Sequence, residues 1–201
     1  MTTGGALFLG AEIIGSSNAV RFAHSYGQGD FHPDLKRIGL AVSGQTILGL
    51  QDEVKKAKPK SSSCVVFIGV NDLRILTRDV LDLKVTITAA QDKLRASTRY
   101  LLLDLLKAFP GGVTFIETLS CPGLSEDWEW RRIFGKLRYA IMRTVRTMSL
   151  RKRALAVCEV NEYLDLGCYE SVMGFRFKRR DYIHLNTHGH RIVAHLLRQI
   201  L

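Results

Sequence analysis

The sequence lacks any apolar run long enough to cross a membrane. Its longest apolar runs, Tyr100 to Leu106 and Cys64 to Val70, fall far short of the ~20 residues that a transmembrane helix needs. The first ten residues contain no Lys or Arg, whereas a secretory signal peptide begins with a basic segment. We therefore expect an intracellular protein, most simply a cytoplasmic one, with no transmembrane segment.

Cysteine is scarce, and the four present are not spaced like disulfide partners or metal ligands. They are Cys64, Cys121, Cys158 and Cys168. Two of them, Cys64 and Cys158, lie at or inside apolar strand-like runs, where a free thiol behaves as a small hydrophobic group. This usage predicts a reducing compartment rather than a disulfide framework.

Metal and phosphate-binding motifs are also missing. The histidines near the C-terminus, His184, His188 and His190, have no carboxylate-rich or Cys-rich neighbourhood of the zinc type. No Gly-rich phosphate loop is present either. We therefore predict no metal and no cofactor, and we expect His188 and His190 to pack around the start of the last helix.

Acidic residues are few in comparison with basic ones. The chain has 29 Lys and Arg against 19 Asp and Glu, which gives a net charge of +10 and a pI near 9.7. Such a balance favours acidic partners, with nucleic acid first and an anionic membrane surface second. The alternative is a basic surface that is simply solvated.

The hydrophobic pattern indicates one α/β domain. Apolar, β-branched runs alternate with amphipathic stretches, as in a parallel sheet covered by helices on both faces. A chain of 201 residues is ordinary for one domain, so we predict that residues 1–201 form a single three-layer α/β/α sandwich around a mostly parallel five-stranded sheet. The predicted strands are Leu7 to Gly15, Arg37 to Val42, Cys64 to Gly69, Val113 to Thr118 and Ala154 to Val160. The predicted helices are Asn18 to Tyr26, Thr46 to Ala57, Ala89 to Ala108, Trp128 to Met148 and Thr187 to Ile200.

Small or hydrogen-bonding residues follow each of the first three predicted strands. Ser17, Gly44 and Asn71 occupy these positions and are separated by 27 residues each, about the length of one βα unit. Ligands bind outside the carboxyl ends of the strands in an open parallel sheet. A Ser at a tight strand-to-helix turn can act as a nucleophile, and a Gly backbone N–H or an Asn amide can stabilise an oxyanion.

A carboxylate and an imidazole stand three residues apart near the C-terminus. Asp181 and His184 precede the last predicted helix, at a spacing that lets the carboxylate orient the imidazole while the imidazole accepts a Ser proton. Each feature also has a plain structural explanation. Ser17 and Asn71 could begin helices, Gly44 could form a turn, Asp181 could pair with nearby arginines, and His184 could be a packing residue.

Taken together, these blocks resemble those of the SGNH (GDSL-type) hydrolases. Gly69-Val70-Asn71-Asp72 and Asp181-Tyr182-Ile183-His184 match the third and last blocks, and Ser43-Gly44-Gln45-Thr46 is similar to the second. The resemblance runs from Ile13 to Leu197. It implies a serine esterase that acts on a small acyl ester. Ser17 would be the nucleophile, His184 the base and Asp181 its orienting partner, and Ser17, Gly44 and Asn71 would form the oxyanion hole.

The first block departs from the family pattern. It is Gly15-Ser16-Ser17, with Ser16 where the family has Asp. A rival register aligns Gly10-Ala11-Glu12 with this block, which would leave no nucleophile and would make the chain a pseudo-enzyme. We prefer Ser17, because it follows an apolar strand of suitable length and precedes a helix.

The basic residues cluster, and this supports a second hypothesis. The helix from Trp128 to Met148 is rich in cations, and another basic group precedes Asp181. Tyr139, Phe175 and Phe177 are interleaved aromatics that could stack on bases. The cationic candidates for nucleic-acid contacts are Arg131, Arg132, Lys136, Arg138, Arg143, Arg146, Arg151, Lys152, Arg153, Arg176, Lys178, Arg179 and Arg180.

Two branches of proteins with the SGNH fold each share a different feature with this chain, one its basic character and the other its apparent triad. The OSK domain of the insect germ-plasm protein Oskar binds RNA and lacks a working triad, whereas the esterase domain of some retrotransposon-encoded proteins keeps it. The residues support two hypotheses, a serine esterase and an inactive SGNH-like module that binds RNA or another polyanion. They do not identify the acyl group, the alcohol or the oligomeric state.

Overall fold

The architecture is a three-layer α/β/α sandwich, as predicted. The computed structural model describes residues 4–32, 36–173 and 178–201. The strands are β1 (Leu7–Phe8), β2 (Ala11–Gly15), β3 (Arg37–Ile38), β4 (Ala41–Val42), β5 (Ser63–Phe67), β6 (Gly112–Ile116), β7 (Leu155–Cys158), β8 (Tyr169–Met173) and β9 (Lys178–Leu185). The helices are α1 (Ser17–Tyr26), α2 (Ile47–Lys56), α3 (Val70–Leu81), α4 (Ile87–Ala108), α5 (Trp128–Ser149) and α6 (Thr187–Leu197).

The central sheet has a parallel core of five strands. Its order is β4-β2-β5-β6-β7, with β3 at one edge and parallel pairing throughout the core. Counted along the chain, this order is 2-1-3-4-5, that of flavodoxin-like folds. The strands are buried on both faces and are correspondingly apolar, as in Ile13, Ile14, Val65 and Val66.

Two predicted strands are in fact hairpins. The segment Leu7 to Gly15 turns at Leu9 and Gly10, and β1 pairs antiparallel with β2. The segment Arg37 to Val42 likewise turns between β3 and β4, which pair antiparallel. Both φ angles of the first turn are positive, 51° at Leu9 and 83° at Gly10, the backbone that favours tight hairpins. The apolar run continues through this turn, so the hydrophobic pattern did not indicate the turn.

Helices cover both faces of the sheet. Helices α1 and α6 pack on one side, and α2, α3, α4 and α5 pack together on the other. Large apolar side chains such as Phe22, Phe115 and Leu101 are fully buried. Each contributes roughly 1.5–3 kcal/mol relative to an exposed position.

Two elements were not predicted. Helix α3 follows β5 directly, and its buried stripe of Val70, Leu73, Leu76 and Thr77 is short and includes only three apolar side chains. The β8–β9 hairpin precedes α6 and holds the Asp181–His184 segment in β9. Its long-range placement has no periodic signal in the sequence.

All four cysteines lie in the described part of the chain, where they are buried and form no disulfide. Within the ranges that the structure describes, no helix combines the length and apolar character needed to cross a membrane.

Candidate active site

The crevice for the candidate site is created by the strand order. Strand β2 lies between β4 and β5, and the chain leaves β2 and β5 toward opposite faces, a topological switch point where ligands bind. Ser17, Gly44 and Asn71 all follow the carboxyl ends of these three adjacent strands. The sheet therefore gathers at one edge three positions that are 27 residues apart along the chain.

A close backbone approach fixes the turn before Ser17. Gly15 has φ +124°, and a Cβ there would lie 2.1 Å from the carbonyl oxygen of Phe67. The Ser16 N–H donates to that same oxygen at 2.7 Å. The chain can therefore turn sharply out of β2, and Ser17 becomes the first residue of α1.

Ser17, His184 and Asp181 form one hydrogen-bonded chain. His184 Nε2 lies 2.9 Å from Ser17 Oγ, and His184 Nδ1 lies 2.5 Å from Asp181 Oδ2. All three residues are half-buried. The sequence separation between Ser17 and His184 is 167 residues, so only the tertiary fold brings them into contact.

The second carboxylate oxygen of Asp181 is held by its own backbone turn. Oδ1 accepts from the N–H groups of Ile183 at 2.9 Å and His184 at 2.8 Å. Tyr182, between Asp181 and Ile183, has φ 54°, a left-handed conformation that is uncommon for a residue with a side chain. The carboxylate is thereby oriented with Oδ2 toward the imidazole.

Asn18 joins α1 to the His184 segment, a role that sequence reasoning missed. Its Nδ2 donates to the Ile183 carbonyl at 2.9 Å, and its Oδ1 accepts from the Leu185 N–H at 3.0 Å. The side chain is buried, and these bonds bracket His184 on both sides. The only sequence signal was a polar residue next to Ser17, which also fits a helix start.

Gly44 and Asn71 line a common cavity at the same edge of the sheet. Gly44 has φ +82° and open space where a Cβ would stand, so its backbone is accessible. Asn71 Nδ2 donates to the Gln45 carbonyl at 3.0 Å. The cavity has a volume of about 430 Å³ and is lined by Gly44, Asn71, Arg74, Ile75, Arg78 and Asp79.

Asp72 connects the Gly44 loop to α3. Its carboxylate accepts from the Ile47 N–H at 3.1 and 3.2 Å and so caps the start of α2, together with Thr46. Burial raises the pKa of Asp72 to about 6, although the bond from Ile47 opposes this shift. Asp72 thus fixes the loop that carries Gly44.

The rival register of the first block falls on a different part of the molecule. Gly10 lies in the β1–β2 turn, and Glu12 lies near the amino end of β2. The Glu12 carboxylate accepts from the Lys60 N–H at 2.7 Å, and burial raises its pKa. These residues lie at the amino ends of the strands, whereas the candidate site lies at their carboxyl ends.

Glu170 is a further carboxylate beside His184 that sequence reasoning did not select. One carboxylate oxygen of Glu170, one of Asp181 and one ring nitrogen of His184 all lie within 4.8 Å of one another. Glu170 forms an ion pair with Arg21 of α1, while Asp181 and His184 bind each other. These groups are therefore partnered within the protein.

His190 packs in the layer beneath the site, as expected. It is buried, and its ring contacts Phe22 edge-on, with ring centroids 5.9 Å apart. Burial lowers its pKa to about 4, and the charges of Arg21 and His184 act in the same direction. His188 stands in the first turn of α6 and is exposed.

Two of the candidate nucleic-acid contacts, Arg138 and Arg146, are engaged in hydrogen-bonded ion pairs. Arg138 donates to buried Glu117 at 2.5 Å and to the Thr118 carbonyl at 2.7 Å. Arg146 donates to Glu159 at 2.8 and 2.7 Å. These two arginines tie α5 to the ends of β6 and β7, so their charges are largely balanced.

The other candidate cations have different surroundings. Arg132 lies 3.6 Å from Glu129, and Arg131 donates to the Glu126 carbonyl. Lys136 and Arg153 are exposed. The remaining candidates, which are Arg176 and the side chains of Lys178, Arg179 and Arg180, together with Phe175 and Phe177, lie outside what the structure describes.

A basic groove runs between α4 and α5. It has a volume of about 830 Å³, and one carboxylate, Asp92, lines it and pairs with Arg95. Across the described ranges, Arg99, Arg143, Arg151 and Lys152 have no carboxylate within 4.0 Å. The cations that line the groove are Arg95, Arg99, Arg143, Arg151 and Lys152.

Known structures share this fold, although sequence comparison gives no match. No protein-family model matches the sequence, and no curated protein matches it either. The OSK domain of Drosophila Oskar superposes with a TM-score of 0.67 at 15% identity, over 98% of this chain and 91% of that one.

Esterases and lipases superpose as well. A GDSL-like lipase from Bacteroides thetaiotaomicron gives a TM-score of 0.60 at 17% identity, over 93% of this chain and 84% of the other. An acetyl xylan esterase from Geobacillus stearothermophilus gives 0.52 at 18% identity, over 81% and 70%. The chain therefore has the α/β/α fold that is found in SGNH (GDSL-type) hydrolases and in the Oskar OSK domain.

Proposed function

We propose that the protein is a serine esterase that hydrolyses small acyl esters. The observation that carries the proposal is the continuous hydrogen-bonded chain Ser17–His184–Asp181 at the switch point of the sheet. A fold in common with known hydrolases adds to it. Nucleophile, base and orienting carboxylate in this mutual geometry are the requirements of acyl transfer.

The hydrogen bonds define a direction for the proton. With Asp181 as acceptor, His184 carries its proton on Nδ1, and Nε2 is free to accept the proton of Ser17. Ser17 Oγ then attacks the ester carbonyl carbon. The imidazolium returns the proton to the departing alcohol, and water, activated by the same imidazole, releases the acid and regenerates Ser17.

The developing oxyanion needs hydrogen-bond donors close to Ser17, at the turn between β2 and α1. The backbone N–H groups of Ser17 and Gly44 and the side-chain amide of Asn71 are the donors that we assign to it. The N-terminus of α1 adds a partial positive charge at the same point. Such donors contribute typically ~3–4 kcal/mol each to the transition state.

Labelling and turnover test the assignment together. Ser17→Ala should abolish hydrolysis of short-chain p-nitrophenyl esters, while Ser25→Ala, an exposed serine in the last turn of the same helix, should not. A fluorophosphonate should add one phosphonyl group to Ser17, with fluoride leaving, and Ser17→Ala should prevent the mass increase. A folded protein that neither turns over these esters nor is labelled would disprove the proposal.

The groove between α4 and α5 favours a second function, binding of single-stranded RNA. Its unpaired cations could neutralise phosphates, and Tyr100 and Tyr139 are exposed aromatics on the same two helices. The structural similarity to the Oskar OSK domain is a second reason to consider RNA binding. It concerns the helical face away from α1 and is compatible with esterase activity.

A salt titration tests RNA binding at this groove. Binding of a fluorescent single-stranded RNA should weaken with salt, and Arg143→Glu should weaken it further and reduce the slope of log K against log salt by about 1. Arg191→Glu, at an exposed arginine of α6 in the opposite layer, makes the same charge change as a control. Equal effects of the two variants would mean that only net charge matters.

A further inference from the structure

The cavity beside Gly44 and Asn71 is flanked by two arginines that the esterase mechanism does not use. Asn71, Arg74 and Arg78 are three and seven residues apart on α3, so they share one face of the helix. Arg74 and Arg78 line the cavity together with Asn71. Along the helix axis they stand roughly 4.5 and 10 Å from Asn71.

The two arginines are available to a ligand. In the described part of the chain, neither Arg74 nor Arg78 has a carboxylate within 4.0 Å. The one carboxylate that lines the cavity, Asp79, lies 3.8 Å from Lys84, and the nearby Asp72 is directed at the Ile47 N–H. The local charge of the cavity is therefore positive.

Arg74 also lies near the other half of the site. Its charge acts on the buried Cys121 thiol, and the charge of Asp181 acts on the same group. Cys121 belongs to the loop that places Gly123 against the Tyr182 ring. The charges of Arg74 and Asp181 therefore both reach the same buried thiol, in the loop that packs against the segment carrying Asp181 and His184.

We propose that Arg74 and Arg78 form an anion subsite, and that the preferred substrates are esters with a carboxylate, sulfonate or phosphate group a few bonds from the scissile carbonyl. This inference rests on the proposed esterase function. A planar guanidinium binds such oxyanions through paired hydrogen bonds. With the carbonyl oxygen at Asn71, an anion at the far end of a four- or five-carbon acid reaches Arg74.

The one apolar side chain that lines the cavity, Ile75, limits which substrates fit it. Ile75 is 52% exposed between the two arginines, and it offers contact to the short methylene chain that joins the ester to the anion. A long neutral acyl chain would bury against this single apolar side chain and would leave both guanidinium groups without partners. The wall therefore suits a short, charged substrate.

Matched ester pairs test the subsite. Mono-p-nitrophenyl glutarate against p-nitrophenyl valerate places the charge in the acyl part, and 4-acetoxybenzenesulfonate against phenyl acetate places it in the alcohol. In at least one pair the charged ester should have a kcat/KM about tenfold higher in the wild-type protein. Arg74→Gln and Arg78→Gln should each lower the charged-to-neutral ratio several-fold, and added salt should lower it as well.

The control separates the subsite from the general positive charge. Lys107→Gln removes one exposed charge in the last turn of α4, at a residue that lines neither the cavity nor the α4–α5 groove, and should leave the ratio unchanged. Turnover of neutral esters with a ratio near one, or a ratio that falls equally in all three variants, overturns the subsite and leaves the esterase standing. Absence of turnover on every ester, with no fluorophosphonate labelling, overturns both.

Discussion

Replacing Asp181 by Asn should reverse the tautomer of His184. In the native protein Oδ1 accepts two backbone N–H groups and Oδ2 accepts the imidazole Nδ1–H. Asn has one acceptor oxygen, and turning its NH2 toward the two N–H groups would place donor against donor. The amide oxygen will therefore face Ile183 and His184, and the NH2 will face Nδ1.

The proton of His184 must then move to Nε2. Nε2–H would point at Ser17 Oγ and could not accept its proton. Loss of the correct tautomer in a serine triad lowers kcat by about 10⁴-fold, equivalent to about 5.4 kcal/mol of activation free energy. Folding should change little, by less than about 1 kcal/mol, because both backbone hydrogen bonds to the side chain remain.

Three measurements check this reasoning. Steady-state hydrolysis of a p-nitrophenyl ester gives kcat, urea unfolding gives stability, and ¹⁵N chemical shifts of the imidazole identify which nitrogen is protonated. Asp92→Asn, at a remote exposed carboxylate, is the matched control. A variant that keeps more than a tenth of the native kcat, or whose His184 still carries its proton on Nδ1, would refute the argument.

Three further predictions concern residues around the site. Asn18→Ala should lower kcat at least tenfold and destabilise the fold by about 2 kcal/mol, because it leaves the buried Leu185 N–H without its partner; kinetics and urea unfolding test both effects, and a native kcat would contradict the positioning role. Asp72→Asn should stabilise the protein by about 1–2 kcal/mol at pH 8 and not at pH 4. The raised pKa of Asp72 means that the folded state loses stability as pH rises from about 4 to about 6. Urea unfolding at both pH values checks the sign. The lowered pKa of His190 has the opposite consequence, with stability present above pH 6.5 and up to roughly 3 kcal/mol lost as pH falls toward 4; His190→Leu should flatten this part of the unfolding curve, and an unchanged slope would assign it to other groups.

Much of the fold could be predicted because its information is local. Parallel strands buried on both faces are continuous apolar runs. Helix α4 stops at a clear Pro-Gly-Gly breaker and α5 has strong apolar periodicity, so the ends of both helices were predicted to within two residues. The hairpins at Leu9 and Gly39 were missed because hydrophobicity does not change across them. Helix α3 was missed because its buried stripe is short and includes only three apolar side chains.

The candidate site divides in the same way. The positions of Ser17, Gly44 and Asn71 at strand ends, and the spacing of Asp181 and His184, are determined by the sequence, because each depends on a short segment and on the general rule for strand ends. The tertiary structure alone decided that Asn18 holds the His184 segment and that Arg138 and Arg146 are paired with Glu117 and Glu159. It also decided that Arg74 and Arg78, among the described residues, have no carboxylate within 4.0 Å. Such pairings depend on which distant side chains the packing brings within a few ångströms, and a one-dimensional pattern does not contain that distance.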